Sequence, residues 1–246
     1  MRLKGKTAIV TGGASGFGAG IVRKFLTEGA EVMIADLNGE GAKVLAEELG
    51  TQACATDVAD ADSVEALARA ATAAFGPPDI LVNNAGVTHL PQPLEEVGET
   101  DFDRVFAVNC KAVYLTARAF VPAMKDRGAG AILNVASTAG VSPRPLLNWY
   151  NASKGWMNTA TKTMAVELAA AGIRVNALNP VAGETPLLGS FLGEDTPEMR
   201  AKFLATIPLG RFSTPEDMGN AAAFLCSDEA SMITGVCMEV DGGRCI

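Results

Sequence analysis

The stretch Thr7 to Gly20, TAIVTGGASGFGAG, decides how the rest of the chain is read. A short apolar β-rich run ends at Thr11, and Gly12, Gly16 and Gly18 then fall at a turn into a helical pattern. Glycines suit such a turn, because the chain bends tightly there and leaves backbone N–H groups, at the positive end of a helix, open to a pyrophosphate. A plain strand-to-helix connection also needs glycine, so the turn alone does not name a ligand. No Lys-Ser/Thr pair follows the glycines, which excludes the phosphate loop of nucleoside triphosphatases. Eighteen residues past Gly18 stands Asp36, closing the run VMIAD. An acid at that place accepts hydrogen bonds from an adenosine ribose and repels a 2′-phosphate. Ser15 and Leu37, where a basic partner for that phosphate would sit, are uncharged, so NAD is expected over NADP.

The same alternation runs to the end of the chain. Strands are expected at Thr7–Thr11, Glu31–Asp36, Gln52–Thr56, Ile80–Asn83, Ala131–Val135, Arg174–Leu178 and Val236–Val240, with helices beginning near Gly16, Glu40, Asp60, Thr100, Trp149 and Pro215. Strand and helix in turn imply an α/β fold, a doubly wound parallel seven-stranded sheet with helices on both faces. No linker, repeat or low-complexity stretch divides the 246 residues, so residues 1–246 are expected to form a single domain. With 48% hydrophobic and 20% charged residues the composition is globular, and no apolar run approaches the ~18 residues of a membrane span. A net charge of -8 argues against nucleic-acid or anionic-membrane partners. The amino terminus runs straight into a strand with no leader-like segment, so a cytoplasmic protein is expected. Five scattered cysteines without a C-x-x-C pair indicate neither a disulfide framework nor a metal site.

Chemistry is concentrated in Ser137 to Lys154, STAGVSPRPLLNWYNASK. Tyr150 and Lys154 are four apart on a helix and so share one face. A fixed ammonium near a phenol favours the phenolate and lowers its pKa, which would make Tyr150 a base able to exchange a proton with a substrate. The hydroxyl of Ser137, at the end of the preceding strand, would meet the same substrate oxygen. A Tyr four residues before a Lys is ordinary in helices, however, and gains weight only from its surroundings. Asp57, Asn83-Asn84-Ala85-Gly86, Ser137 and Asn179-Pro180 all fall just beyond carboxyl ends of strands, where open parallel sheets bind ligands. Each residue type is also favoured in plain turns, but together they describe a cleft for a dinucleotide and a small polar centre.

In these residues the sequence resembles the short-chain dehydrogenase/reductase family, in its short single-domain branch, over nearly the whole chain. The matches are Thr11-Gly12 with Gly16 and Gly18, Asp57-Val58, Asn83 to Gly86, Asn109, Ser137, Tyr150 with Lys154, and Asn179-Pro180 with Thr185. The resemblance implies a Rossmann fold and catalytic roles for Asn109, Ser137, Tyr150 and Lys154: Tyr150 as general acid/base, Lys154 lowering its pKa and holding the nicotinamide ribose, Ser137 positioning the substrate oxygen, and Asn109 supporting a proton relay. It implies a cofactor wall of Gly12, Ser15, Gly16, Phe17, Gly18, Asp36, Leu37, Asp57, Val58, Asn84, Ala85, Gly86, Tyr150, Lys154, Pro180, Gly183 and Thr185, with no metal, and a homotetramer. The family usually has Pro-Gly where this chain has Pro180-Val181, with a glycine displaced to Gly183. Because valine tolerates positive φ badly, a different loop path is expected there.

Glu184 to Leu209, rich in Leu, Phe, Pro and Met, breaks the alternation and is expected to cover the substrate through Leu187, Leu188 and Phe191, or else only to pack. His89 is expected to be an ordinary loop histidine, and Arg144 to take a solvated or inter-subunit place rather than meet a substrate anion. Small residues in two helices, among them Ala112, Val113, Ala117, Ala160 and Ala165, suit either a two-fold interface or burial within one subunit. The expected activity is NAD-dependent interconversion of a secondary alcohol, such as a sugar, polyol or hydroxy acid derivative, and its ketone. A 3-oxoacyl thioester reductase and a non-catalytic NAD-binding sensor or scaffold are the alternatives.

Overall fold

A computed structural model describes residues 1–246. Strands β1 (Thr7–Thr11), β2 (Glu31–Asp36), β3 (Gln52–Ala55), β4 (Ile80–Asn83), β5 (Gly130–Val135), β6 (Ile173–Pro180) and β7 (Cys237–Val240) form one sheet in the order β3-β2-β1-β4-β5-β6-β7. All neighbouring strands are parallel. The central strands β1 and β4 are nearly continuous apolar runs because each face is covered, and successive side chains feed opposite cores. Ala8, Val10, Val32 and Ile34 pack with Ile21 and Phe25 of α1 (Gly16–Thr27), Leu45 of α2 (Gly39–Leu49) and Met218 and Leu225 of α9 (Pro215–Cys226). Ile9, Met33, Ala35 and Leu81 pack on the other side with Leu67 of α3 (Ala61–Phe75), Phe120 and Met124 of α5 (Ala112–Arg127) and Leu168 of α6 (Asn148–Leu168). Each fully buried Leu, Ile or Phe contributes about 1.5–3 kcal/mol. This is the doubly wound Rossmann arrangement expected from the sequence.

Two features of the helical layers position the cleft. Helices α1 and α9 meet backbone to backbone: a Cβ on Gly20 would lie 2.2 Å from the Pro215 carbonyl oxygen, so no other residue fits. On the opposite layer, the single helix expected from about Thr100 to Arg127 is in fact α4 (Glu99–Phe106) and α5 joined by a π turn, Ala107–Lys111. A π turn carries more residues than an α turn and is often found at functional sites. Here it buries Asn109 and Cys110.

Strand order reverses between β1 and β4, so their carboxyl ends part around a crevice. The long excursion after β6 holds two short helices, α7 (Leu188–Leu192) and α8 (Pro197–Leu204). Leu188, Phe191, Leu192, Phe203 and Ile207 bury themselves there with Tyr150, Val181 and Phe212. No helix is long and apolar enough to cross a membrane.

Candidate functional site

A cavity of about 450 Å³ opens beyond the carboxyl ends of the strands. Gly12, Ser15, Gly16, Phe17, Asp36, Leu37, Asp57 and Val58 line one end. Ser137, Tyr150, Lys154, Val181, Leu188 and Phe191 line the other. Asn84, Ala85, Gly86, Pro180, Gly183 and Thr185 are also on its wall. Of the expected cofactor residues only Gly18 is off the lining. A Cβ there would come 2.0 Å from the Gly12 carbonyl oxygen, so Gly18 shapes the turn from behind.

The cleft fits a dinucleotide on several counts. Gly12 and Gly16 hold positive φ, 60° and 52°. Ser15 begins α1 without any capping bond from its side chain, and the first turn carries no acid. Hydroxyl and N–H groups at that positive end are therefore open to phosphate oxygens. Beside the turn, Asp36 is fixed by two backbone N–H donors, Ala14 to Oδ2 (3.0 Å) and Asn38 to Oδ1 (2.9 Å). Asn84 shares the wall, but its Nδ2 donates to the carbonyls of Thr11 and Gly12 (both 2.9 Å), while the Thr11 hydroxyl accepts the Asn84 N–H (3.0 Å). Its side chain therefore ties β1 to β4. Asn83, expected at the cleft edge, is buried: its Nδ2 donates to Asn134 Oδ1 (2.9 Å), and its Oδ1 accepts from Thr116 (2.8 Å). Asn134 in turn donates to Thr161 (2.9 Å), which completes a polar chain through β4, β5, α5 and α6.

At the other end, burial controls the electrostatics. Tyr150 is 5% exposed and Lys154 4% exposed. The ammonium Nζ lies 5.9 Å from the Tyr150 ring centroid and donates to the Val135 carbonyl at 2.9 Å. Burial pushes Lys154 down to about 8. The expected lowering of the phenol by this ammonium is not what the geometry produces. Burial raises the Tyr150 phenol above its ordinary value, and the opposing influences come from a hydrogen bond with Ser137 and the charge of Arg144. Ser137 is held in place by two bonds, its N–H donating to Asn179 Oδ1 (3.3 Å) and its hydroxyl accepting from the Ala139 N–H (3.0 Å). Asn109 has no solvent exposure and clamps Val87 from both sides, accepting its N–H and donating to its C=O at 2.9 Å each; it also donates to Ser153 Oγ at 2.9 Å.

The loop after β6 follows an unstrained path. Val181 has no positive φ; it is 2% exposed and donates to the Val240 carbonyl at 3.3 Å. Gly183 is needed for space, since a Cβ there would lie 2.2 Å from Phe17 Cζ. Thr185 sits over the glycine turn, 3.1 Å from where a Gly16 Cβ would be. Leu187, Leu188 and Phe191 do line the cavity, whereas Phe203 packs behind. His89 is 1% exposed and off the lining. Arg144 is half-buried rather than fully solvated: its guanidinium stacks on Phe191 and Phe203. Sequence reading missed Thr56, Val87, Val108, Val135, Ala136, Ala182 and Pro186 on the wall, nearly all apolar residues with no motif to mark them.

Comparison with known proteins agrees with this geometry. A family model described as enoyl-(acyl carrier protein) reductase matches residues 12–244. The 4-formylbenzenesulfonate dehydrogenase of Comamonas testosteroni is 50% identical over 99% of both chains. The D-threitol dehydrogenase of Mycolicibacterium smegmatis is 42% identical over 100% of this chain and 95% of its own. A crystal structure of 3-ketoacyl-(acyl-carrier-protein) reductase from Brucella melitensis complexed with NADH superposes with a TM-score of 0.94 at 50% identity, covering 99% of this chain and 100% of that one.

Proposed function

Because the chain belongs to the short-chain dehydrogenase/reductase family, we propose that it is an NAD-dependent dehydrogenase interconverting an alcohol and its carbonyl compound. The observation that carries this reading is one continuous cavity with Asp36 at one end and Ser137, Tyr150 and Lys154 at the other. Glycines 12 and 16 would hold the pyrophosphate and Asp36 the adenosine ribose, with Leu37, Asp57 and Val58 around the base. Bound NAD supplies the hydride acceptor and a positive pyridinium charge. Ser137 orients the substrate oxygen, and Tyr150 accepts its proton in oxidation and returns it in reduction. Lys154 would bind the second ribose, and Asn109 would keep Val87 and Ser153 in register beneath it. The apolar wall of Val87, Val181, Leu188 and Phe191 shuts water away from the reacting carbon, which strengthens each polar contact made there.

The NADH complex of the 50% identical Brucella protein supports the choice of coenzyme. Relatives named for 4-formylbenzenesulfonate and D-threitol support a small alcohol or carbonyl substrate. The name of the Brucella protein favours a second reading, a 3-oxoacyl thioester reductase. Alcohols should yield NADH with the purified protein, and 3-oxoacyl thioesters should consume it much more slowly; the reverse order would replace the first reading by the second. Tyr150→Phe should lose at least 10³-fold in kcat while binding NAD within a few fold. Retained turnover would remove Tyr150 from the chemistry, and an inactive wild type that binds NAD would leave only a sensor or scaffold. Asp36→Ala should raise the NADP:NAD affinity ratio. The ratio is the readout because the variant also frees the Ala14 and Asn38 N–H groups and so weakens both coenzymes.

A further inference from the structure

Arg144 lies between β5 and α6, on the loop that follows Ser137. Its guanidinium carbon is 4.5 Å from the Phe191 ring centroid and 5.3 Å from that of Phe203. From the carboxyl-terminal segment, Arg244 brings a second guanidinium to 5.1 Å from the same Phe203 ring. Neither arginine takes part in any of the protein's ion pairs. Arg244 Nη1 donates to the Thr206 hydroxyl at 3.2 Å. Arg144 Nη1 is buried and has no hydrogen-bond partner at all. The groups that act on the Arg144 charge are burial, the like charge of Arg244 and the Tyr150 phenol; no carboxylate is among them.

This arrangement is unfavourable on its own. Ring stacking covers the face of a guanidinium but gives the buried Nη1 edge no acceptor, and even a half-buried charge without a partner costs free energy. Two converging cations add repulsion. An oxyanion relieves both, because the planar fork of arginine matches the oxygens of a carboxylate or sulfonate. A chain with net charge -8 repels anions at long range, so an anionic group bound away from the α1 N-terminus gains from a local cation of this kind.

Its place next to the reaction centre says which ligand. Phe191 is wall of the cavity on one side and stacking partner of Arg144 on the other, and its ring lies edge-on to Tyr150 at 5.9 Å. The phenol, the Phe191 ring and the guanidinium are thus successive neighbours. We propose that Arg144, backed by Arg244, receives an oxyanion at the far end of the substrate, which is an alcohol or carbonyl compound whose short apolar stem ends in a carboxylate or sulfonate. The stem lies along Phe191, and Arg144, which is outside the cavity lining, turns about the edge of that ring to exchange stacking for an ion pair. This substrate class rests on the dehydrogenase reading above.

Binding and turnover separate the two. In the NAD complex, calorimetry with 4-methylbenzoate and 4-methylbenzenesulfonate should show binding that weakens with added NaCl. Arg144→Gln should weaken it at least 10-fold, Arg144→Lys should restore part of the loss, and Arg244→Gln should weaken it to a smaller extent. Binding of neutral 4-methylbenzyl alcohol should depend on neither salt nor these substitutions. Equal losses for charged and neutral probes would overturn the proposal and leave Arg144 as packing, as would anion binding that ignores salt and both arginines. Should Arg144→Gln fail to fold, the salt dependence and Arg244→Gln still decide. The carboxylate and sulfonate arms show which oxyanion is preferred. Anion binding through Arg144 without NADH formation from any 4-substituted benzylic alcohol, and without NADH consumption by the matching carbonyl compounds, would instead overturn the dehydrogenase reading.

Discussion

Tyr150 is a buried phenol, raised above its ordinary pKa, beside a buried ammonium. Its four-residue spacing from Lys154 was legible, and so was Ser137 at the end of a strand, because both follow from helix and strand geometry. The electrostatics were not, since they depend on burial, and burial is set by Phe191 and Leu188 arriving from a segment some forty residues downstream. A buried phenol with a raised pKa needs added positive charge before it can act as a base near neutrality. Saturating NAD⁺ should therefore lower the Tyr150 pKa. With Tyr114, the other tyrosine, changed to Phe, phenolate absorbance during a pH titration reports Tyr150 alone. A midpoint that does not move on adding NAD⁺ would contradict the proposed proton transfer. Arg144 was legible as a cation in a loop, but only the folded chain shows that it has no partner.

At the level of elements, all seven strands were readable from period and punctuation to within two residues, and the beginnings of six helices to within one. Two things were not. The π turn at Ala107–Lys111 leaves apolar periodicity nearly intact, and the cause of its inward pull, the Asn109 clamp on Val87, joins residues far apart in sequence. The polar chain from Thr116 through Asn83 and Asn134 to Thr161 was hidden likewise, since Asn83 reads as part of a turn. That chain is buried and saturated, so breaking it strands an acceptor. Thr116→Val, close in volume, should destabilise the protein by about 1–3 kcal/mol in urea unfolding. The coenzyme affinities should change little, because the network lies below the cavity and not on its wall. A variant as stable as the parent would show the chain to be expendable.

For the molecule as a whole, buried ionisable groups fix how stability responds to pH. Lys154 is held at about 8 by burial, against an ordinary 10.5. Between those values the unfolded chain carries a proton that the folded chain lacks, so stability rises with pH. Burial pushes Cys110 to about 11 and Cys226 to about 12, against an ordinary 9.0. Above pH 9.0 the unfolded chain loses thiol protons that the folded one keeps, and stability falls. Opposing slopes predict a maximum between pH 8 and 9 in denaturant unfolding without coenzyme, and Lys154→Met should remove the rising limb. A profile flat from pH 7 to 10 would refute it. Thr185, resting over the glycine turn at the root of the segment that carries α7, has a consequence for kinetics. Whatever settles on that turn also sets the anchor of the flap above the second guest, so the two guests should enter in compulsory sequence and depart in reverse. Product-inhibition patterns should accordingly show NADH competing with NAD, while the released carbonyl compound competes with neither.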